Sequence, residues 1–184
     1  NKLPFIEDKG LKVGDSTFIL DYLTKTYRLE IDSFLTKEQQ ANAYLISKSL
    51  DENLYWCLVY SRWLKDDTWP LLKNAFFGKM PALLKLFVPN MIRKSVKKNL
   101  HGQGIARHND DEILNIAKQS FTSLSILLAE KDYFFGEQIS SFDVTVYAHI
   151  HEFISVDFSN EVNELARSYP NLIGFCQRIE KQYY

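Results

Sequence analysis

Lys2-Leu3-Pro4-Phe5-Ile6-Glu7, with Gly14-Asp15-Ser16-Thr17-Phe18-Ile19-Leu20-Asp21-Tyr22-Leu23 behind it, is the stretch on which the architecture turns. Leu3 to Glu7 is a short apolar run with a proline near its head, where a strand tolerates the missing N–H. Asp8-Lys9-Gly10 supplies a turn, because glycine takes a positive φ at little steric cost. Leu11 to Val13 is then the return strand of a hairpin. Gly14 ends it, and Ser16 stands at the expected N-cap of a helix whose Phe18, Ile19, Tyr22 and Leu23 recur at helical spacing. First-turn N–H groups have no intrahelical acceptor, and with the helix dipole they favour an anion. Ordinary capping is the commoner use of such a serine.

The 184 residues suffice for one well-buried domain with a small extra lobe. A hydrophobic content of 46% argues against disorder. The net charge of -1 creates no global field that would draw in nucleic acid or an anionic membrane. Cys57 and Cys176 form no CxxC pair, so neither a disulfide nor a zinc site is expected. A reducing, cytoplasmic location is the expectation that goes with them. The N-terminus lacks a signal-peptide pattern, and no run approaches the roughly 18 apolar residues of a spanning helix.

Arg28 to Leu35 is a mixed segment, read as a linker. Thr36-Lys37-Glu38-Gln39 fits a capping box, and the helix behind it is expected to run to about Lys65. Ala41, Tyr44, Leu45, Tyr55, Leu58, Val59 and Trp63 form its apolar face. Tyr55-Trp56-Cys57-Leu58-Val59-Tyr60-Ser61-Arg62-Trp63 is the densest aromatic cluster; such stripes more often pack a core than line a pocket. Arg62 within it needs an anionic or carbonyl partner, and Asp51, Glu52 and Asp66 are candidates for a structural ion pair. Pro70, Pro81 and Pro89 divide the next segment into short helical pieces. There Ala82 to Val88 is apolar and Met91 to Lys98 becomes strongly basic, a pattern that suits a membrane-surface helix. Pro89 and the near-neutral whole favour a core-packed helix pair with a solvated basic end. Gly102-Gln103-Gly104 with Arg107 and His108 follows no strand, which excludes a dinucleotide fingerprint and leaves a loop between helices.

Asn109 to Glu112 forms a capping-box variant ahead of an amphipathic helix carrying Ile113, Ile116, Ala117, Phe121, Leu124, Leu127 and Leu128, ending near Lys131. Ser140 and Asp143 form another box, read as structural, before a deeply buried helix with Val144, Val146, Tyr147, Ala148, Ile150, Phe153 and Ile154. Tyr169-Pro170 opens the last helix. His149 and His151, two residues apart, face different sides of their helix. Ser155 stands where an HExxH motif needs its second histidine, so no metal is expected.

A leucine-proline pair opening a strand, then a hairpin, then an acidic-Ser pair opening a helix, resembles the second half of the thioredoxin-like domain of glutathione transferases. In that family the proline is cis, the residue before it bonds the glutathione backbone, and the acidic-Ser pair holds the γ-glutamyl end. The resemblance therefore implies glutathione as substrate, held by Leu3, Pro4, Asp15 and Ser16, and a second-substrate pocket walled by Tyr55, Tyr60 and Trp63. Ser140 and Asp143 match the folding box of the helical lobe, and Tyr169 to Ile179 its closing helix. Family members carry the thiol-activating Tyr, Ser or Cys upstream of the proline, so no catalytic residue is named within a chain that starts at Asn1. The first part of that domain is expected to be missing here.

Tyr55-Trp56, Tyr60-Ser61-Arg62-Trp63, Asn74-Ala75-Phe76-Phe77-Gly78 and Gly102-Gln103-Gly104 with Arg107-His108 are similar to the failed axon connections and metaxin-like branch. Its members are often of unsettled activity, and metaxins serve mitochondrial outer-membrane import. The tail Lys181-Gln182-Tyr183-Tyr184 has no anchor after it, which weakens a metaxin-type role. The expected fold is mainly α: the C-terminal half of a thioredoxin-like domain (1–27, hairpin plus helix), a linker (28–35) and an all-α transferase helical domain (36–184). The expected function is glutathione binding, with conjugation or exchange onto a hydrophobic acceptor and with dimers usual in such families. The alternative is a non-catalytic adaptor acting in protein interaction, or at a membrane surface through Lys85 and the Arg93 to Lys98 segment.

Overall fold

A computed structural model describes residues 3–157 and 159–184; Asn1, Lys2 and Phe158 lie outside the described set. The chain divides into two compact units, Asn1–Glu38 and Gln39–Tyr184.

In the first unit, β1 (Phe5–Asp8) and β2 (Leu11–Gly14) pair antiparallel with Phe5 opposite Gly14 and Asp8 opposite Leu11. Lys9 (φ 50°) and Gly10 (φ 82°) make the two-residue turn. Positive φ at both positions matches the right-handed twist of the flanking strands. Helix α1 (Ser16–Tyr27) lies against both strands. Asp8 Oδ2 accepts from the Tyr22 hydroxyl at 2.9 Å and from the Tyr27 hydroxyl at 2.8 Å, which ties the turn to two successive levels of the helix. Those bonds, Tyr27 first and then Tyr22, hold the Asp8 carboxyl below its ordinary pKa. Arg28, left-handed at φ 53°, ends α1 by donating its N–H to the Thr24 carbonyl.

From Lys37 onward the elements among the described residues are all helical: α2 (Lys37–Ser49), a π-helical turn (Leu50–Leu54), α3 (Tyr55–Trp63), α4 (Trp69–Phe77), α5 (Ala82–Lys85), α6 (Val88–Gln103), a 3-10 turn (Ile105–Arg107), α7 (Asp110–Leu128), α8 (Ser141–Ile154), α9 (Glu161–Arg167) and α10 (Pro170–Tyr183). The main core of the second unit is built on Leu54, Phe121, Val146, Ile150, Phe153, Leu172 and Phe175, all fully buried. Phe121 meets Phe153 edge to face, centroids 5.2 Å apart at 88°. Trp69, Leu72 and Phe77 form a smaller cluster, with Trp63, Val88 and Ile92 against it.

The continuous helix expected from Thr36 to about Lys65 is interrupted. The π turn inserts a residue into the helical count, so apolar periodicity does not carry across it. Leu50 and Leu54 occupy the core, whereas Tyr44 and Leu45 on the expected apolar face are 60% and 64% exposed. Gln103 Nε2 donates to the Glu52 carbonyl in the π turn at 2.9 Å, and Gly104 (φ 122°) closes α6 behind it. The Gly102–Gly104 segment is thus a helix end that braces the π turn. On α8, Val144 and Ala148 are exposed rather than buried, being four residues apart on the outer stripe.

Helix α9 lies between the two C-terminal helices that the periodicity marks. Asn160 caps it, its Oδ1 accepting from Val162 and Asn163 N–H at 3.0 Å each. Asn163 Nδ2 returns a bond to the Phe153 carbonyl, and Arg167 donates to the carbonyls of Ile154 and Val156, at 2.6, 3.0 and 2.7 Å. These contacts satisfy carbonyls that the end of α8 leaves without intrahelical partners.

Candidate functional site

Each residue named for glutathione lies at or near the start of α1 or β1. The Leu3–Pro4 peptide is cis. The Pro4 carbonyl accepts from Asp15 N–H at 2.9 Å, which sets the start of α1 beside the start of β1. Leu3 is 82% exposed. The N-cap is Asp15, not Ser16: with φ 81°, its Oδ1 accepts from Thr17 N–H at 3.1 Å, and its carbonyl takes the first helical bond from Ile19. The capping role falls to Asp15 because its backbone is still non-helical, while Ser16 already belongs to the first turn. Ser16 is exposed, and its hydroxyl makes no hydrogen bond among the described residues.

Tyr55, Tyr60 and Trp63 on α3 have separate neighbours. Tyr55 is 45% exposed and packs edge to face on Trp56. The Tyr60 hydroxyl donates to Asp110 Oδ1 at 2.6 Å, and Lys65 Nζ reaches Asp110 Oδ2 at the same distance. Trp63 lies against Trp69 and Phe76, with centroids 5.8 and 6.0 Å away. A cleft of about 500 Å³ lies elsewhere, between α2, the π turn and α7, where Leu45, Leu50, Ile116 and Leu127 line it.

Arg62 finds its carboxylate on α8: Nη1 sits 2.9 Å from Glu152 Oε2. None of the three candidate acids serves in this pair. Asp66 instead takes Arg93 at 2.8 Å, and Asp51 takes Lys48 at 2.8 Å and His149 at 3.4 Å. Arg93 also donates to the carbonyls of Trp63 and Leu64 at the end of α3, at 2.8 and 2.9 Å. His151 pairs with Glu180 at 3.0 Å, so the two α8 histidines do face different partners. No group of three or more His, Cys, Asp and Glu able to hold a metal occurs among the described residues. No helix among them is long and apolar enough to cross a membrane.

Burial first, and then the Asp110 carboxylate, push the Tyr60 phenol up to about 12. Burial likewise raises the thiols of Cys57 and Cys176 to about 12. The folded chain therefore keeps these protons in a range where the unfolded chain has lost them, from about pH 8.5 for thiols and about 10 for a phenol. The stability so contributed is complete below those values and is lost as pH rises towards 12. Denaturation midpoints measured from neutral to strongly alkaline pH should fall steadily. Tyr60→Phe should flatten only the upper part of that fall, and an unchanged profile would refute the assignment.

Comparison with known proteins gives the site its context. Residues 1–68 match the glutathione S-transferase N-terminal domain, and residues 117–179 match the glutathione S-transferase C-terminal domain. The isoprene-epoxide–glutathione S-transferase of Rhodococcus sp. (strain AD45) is 27% identical over 99% of this chain and 78% of its own length. Failed axon connections of Drosophila melanogaster is 30% identical over 97% of this chain, which spans 46% of that protein. Human Metaxin-2 is 25% identical over 100% of this chain and 70% of its own length. No solved structure matches. Metaxins, which are associated with the mitochondrial outer membrane, recur among these relatives, and they overturn the expectation of a cytoplasmic location. Matches to both transferase domains, together with these relatives, place the chain in the glutathione S-transferase-like family, in its failed axon connections and metaxin-like branch.

Proposed function

We propose that the chain binds glutathione through the Leu3 backbone beside Pro4 and through Asp15 and Ser16, and passes it to, or exchanges it with, a hydrophobic acceptor. The observation that carries this reading is the Asp15–Ser16 pair at the start of α1, Asp15 half-buried and Ser16 exposed, inside the segment that matches the transferase N-terminal domain. The γ-glutamyl end of glutathione carries an ammonium and a carboxylate on one carbon. Asp15 offers an anionic acceptor to the first, and the Ser16 hydroxyl with the first-turn N–H groups offers donors to the second. Conjugation also needs a thiolate favoured by a donor or a positive field. Cys57 and Cys176 do not supply it: burial keeps both thiols protonated, and free thiol chemistry at neutral pH is not theirs.

Isothermal calorimetry with glutathione tests the reading. Wild type should give a saturable heat, and Ser16→Ala should weaken binding by about tenfold, the worth of one hydrogen bond to a charged group. Absence of heat in wild type, or equal affinity in the two proteins, would overturn it.

A further inference from the structure

The segment from Thr68 to Asn109 contains no Asp or Glu and eight Lys and Arg, so the remainder of this chain of net charge -1 carries -9 (14 Lys and Arg, 23 Asp and Glu). The near-zero total conceals a strongly basic block. The same block holds the longest run of exposed apolar side chains: Leu83 74%, Leu84 46%, Leu86 66%, Phe87 61% and Met91 64% exposed. The core-packed helix pair expected here is realised only on the inner side, by Val88, Pro89, Ile92 and Leu100.

Three features say what covers this surface. Helix α5 and its flanks are exposed all round rather than along one stripe, which suits a fluid apolar phase better than the groove of a partner protein. Phe87, Met91, Lys94 and Lys98 follow at spacings of four, three and four, so one stripe passes from apolar to cationic along α6. Lys98 lies about 10 Å along the helix from Met91, at about 1.5 Å per residue, close to the depth of a headgroup layer. Finally, Lys94, Lys97 and Lys98 are exposed and form no ion pair among the described residues, and Lys94 and Lys97 line a cleft of about 370 Å³ with Asn90 and the Arg93–Asp66 pair. Arg93 is not part of this set, since Asp66 and the end of α3 occupy it. Lys85 folds back to the Gly78 carbonyl, which leaves the α5 turn apolar.

We propose that the α5 turn and the exposed stripe of α6 dock on an anionic phospholipid surface. Leu83, Leu84, Leu86, Phe87 and Met91 enter the acyl boundary, while Lys94, Lys97 and Lys98 meet the headgroups. This surface is independent of the glutathione reading.

Flotation of the intact protein with phosphatidylcholine vesicles, alone or mixed with phosphatidylserine, is the test. The protein should float with the mixed vesicles only, and high salt should release it. Lys94→Gln/Lys97→Gln/Lys98→Gln should lower the partition coefficient about fivefold per lysine. Leu83→Ser/Phe87→Ser should abolish flotation, and Lys118→Gln/Lys181→Gln on other exposed faces should change nothing. Unaltered thermal melts separate each effect from misfolding, and unaltered glutathione heats separate this site from the other. No flotation, equal flotation with both vesicles, or flotation indifferent to the variants would overturn the proposal. So would a lipid-free dimer that Phe87→Ser dissolves, which would assign the surface to a second copy of the chain.

Discussion

Asp143→Ala is expected to lower the free energy of unfolding by about 3–5 kcal/mol, since it orphans buried donors and each costs roughly 1–3 kcal/mol. Asp143 is fully buried; its Oδ2 accepts from Ser140 N–H at 2.8 Å and from the Ser140 hydroxyl, and its Oδ1 accepts from Phe134 N–H at 2.8 Å. One carboxylate thus starts α8 and also anchors the segment that follows α7. Phe134 in turn packs edge to face on Phe142 and Phe175, with centroids 5.2 and 5.4 Å away, so a loosened Phe134 backbone disturbs the core itself. Ser140→Ala should cost less, about 1 kcal/mol, because only the reciprocal half of the cap is lost. Urea denaturation followed by circular dichroism measures both. A loss below about 1 kcal/mol for Asp143→Ala would mean that water replaces the carboxylate and that the box is not structural.

Phe121→Ala should be of similar size, about 3–5 kcal/mol, through lost burial and the cavity left behind. Phe121 is fully buried where α7 meets α8 and the start of α10, stacked edge to face on Phe153 and tilted against Tyr169 at 6.1 Å. The surrounding groups cannot close readily over the void, because Thr122 holds the Tyr169 hydroxyl at 2.8 Å. Phe76→Ala, at a site 66% exposed, is the contrasting control and should stay within about 0.5 kcal/mol. Thermal and chemical melts of the pair decide the matter: equal losses at the two sites would contradict the assigned core.

Much of the fold was legible because its signals are local. Asn109 and Glu112 exchange bonds at 2.9 and 3.0 Å across four residues, and Ser140 and Asp143 do the same, so spacing alone locates both helix starts. The hairpin turn needs only Lys9 and Gly10. Asn160, which opens α9, carried a comparable signal ahead of an acidic first turn, but short helices give too little periodicity to stand out. At the candidate site, the residue types at the start of α1 were readable, while the capping role moved by one residue to Asp15. Backbone angles decide which of two adjacent capping residues does the work, and residue type does not.

The amino-acid sequence by itself determined where both strands and the longer C-terminal helices begin, that the chain becomes all helical after α1, and which family it resembles. Only the tertiary structure decided that Arg62 pairs with Glu152, that Arg93 serves the end of α3, that a π turn rotates the α2 face, and that α5 stays uncovered. The first group rests on contacts within a few residues, which composition and spacing encode. The second rests on partners up to 90 positions apart. For these, many carboxylates and carbonyls are chemically equivalent, and only the packed chain selects one.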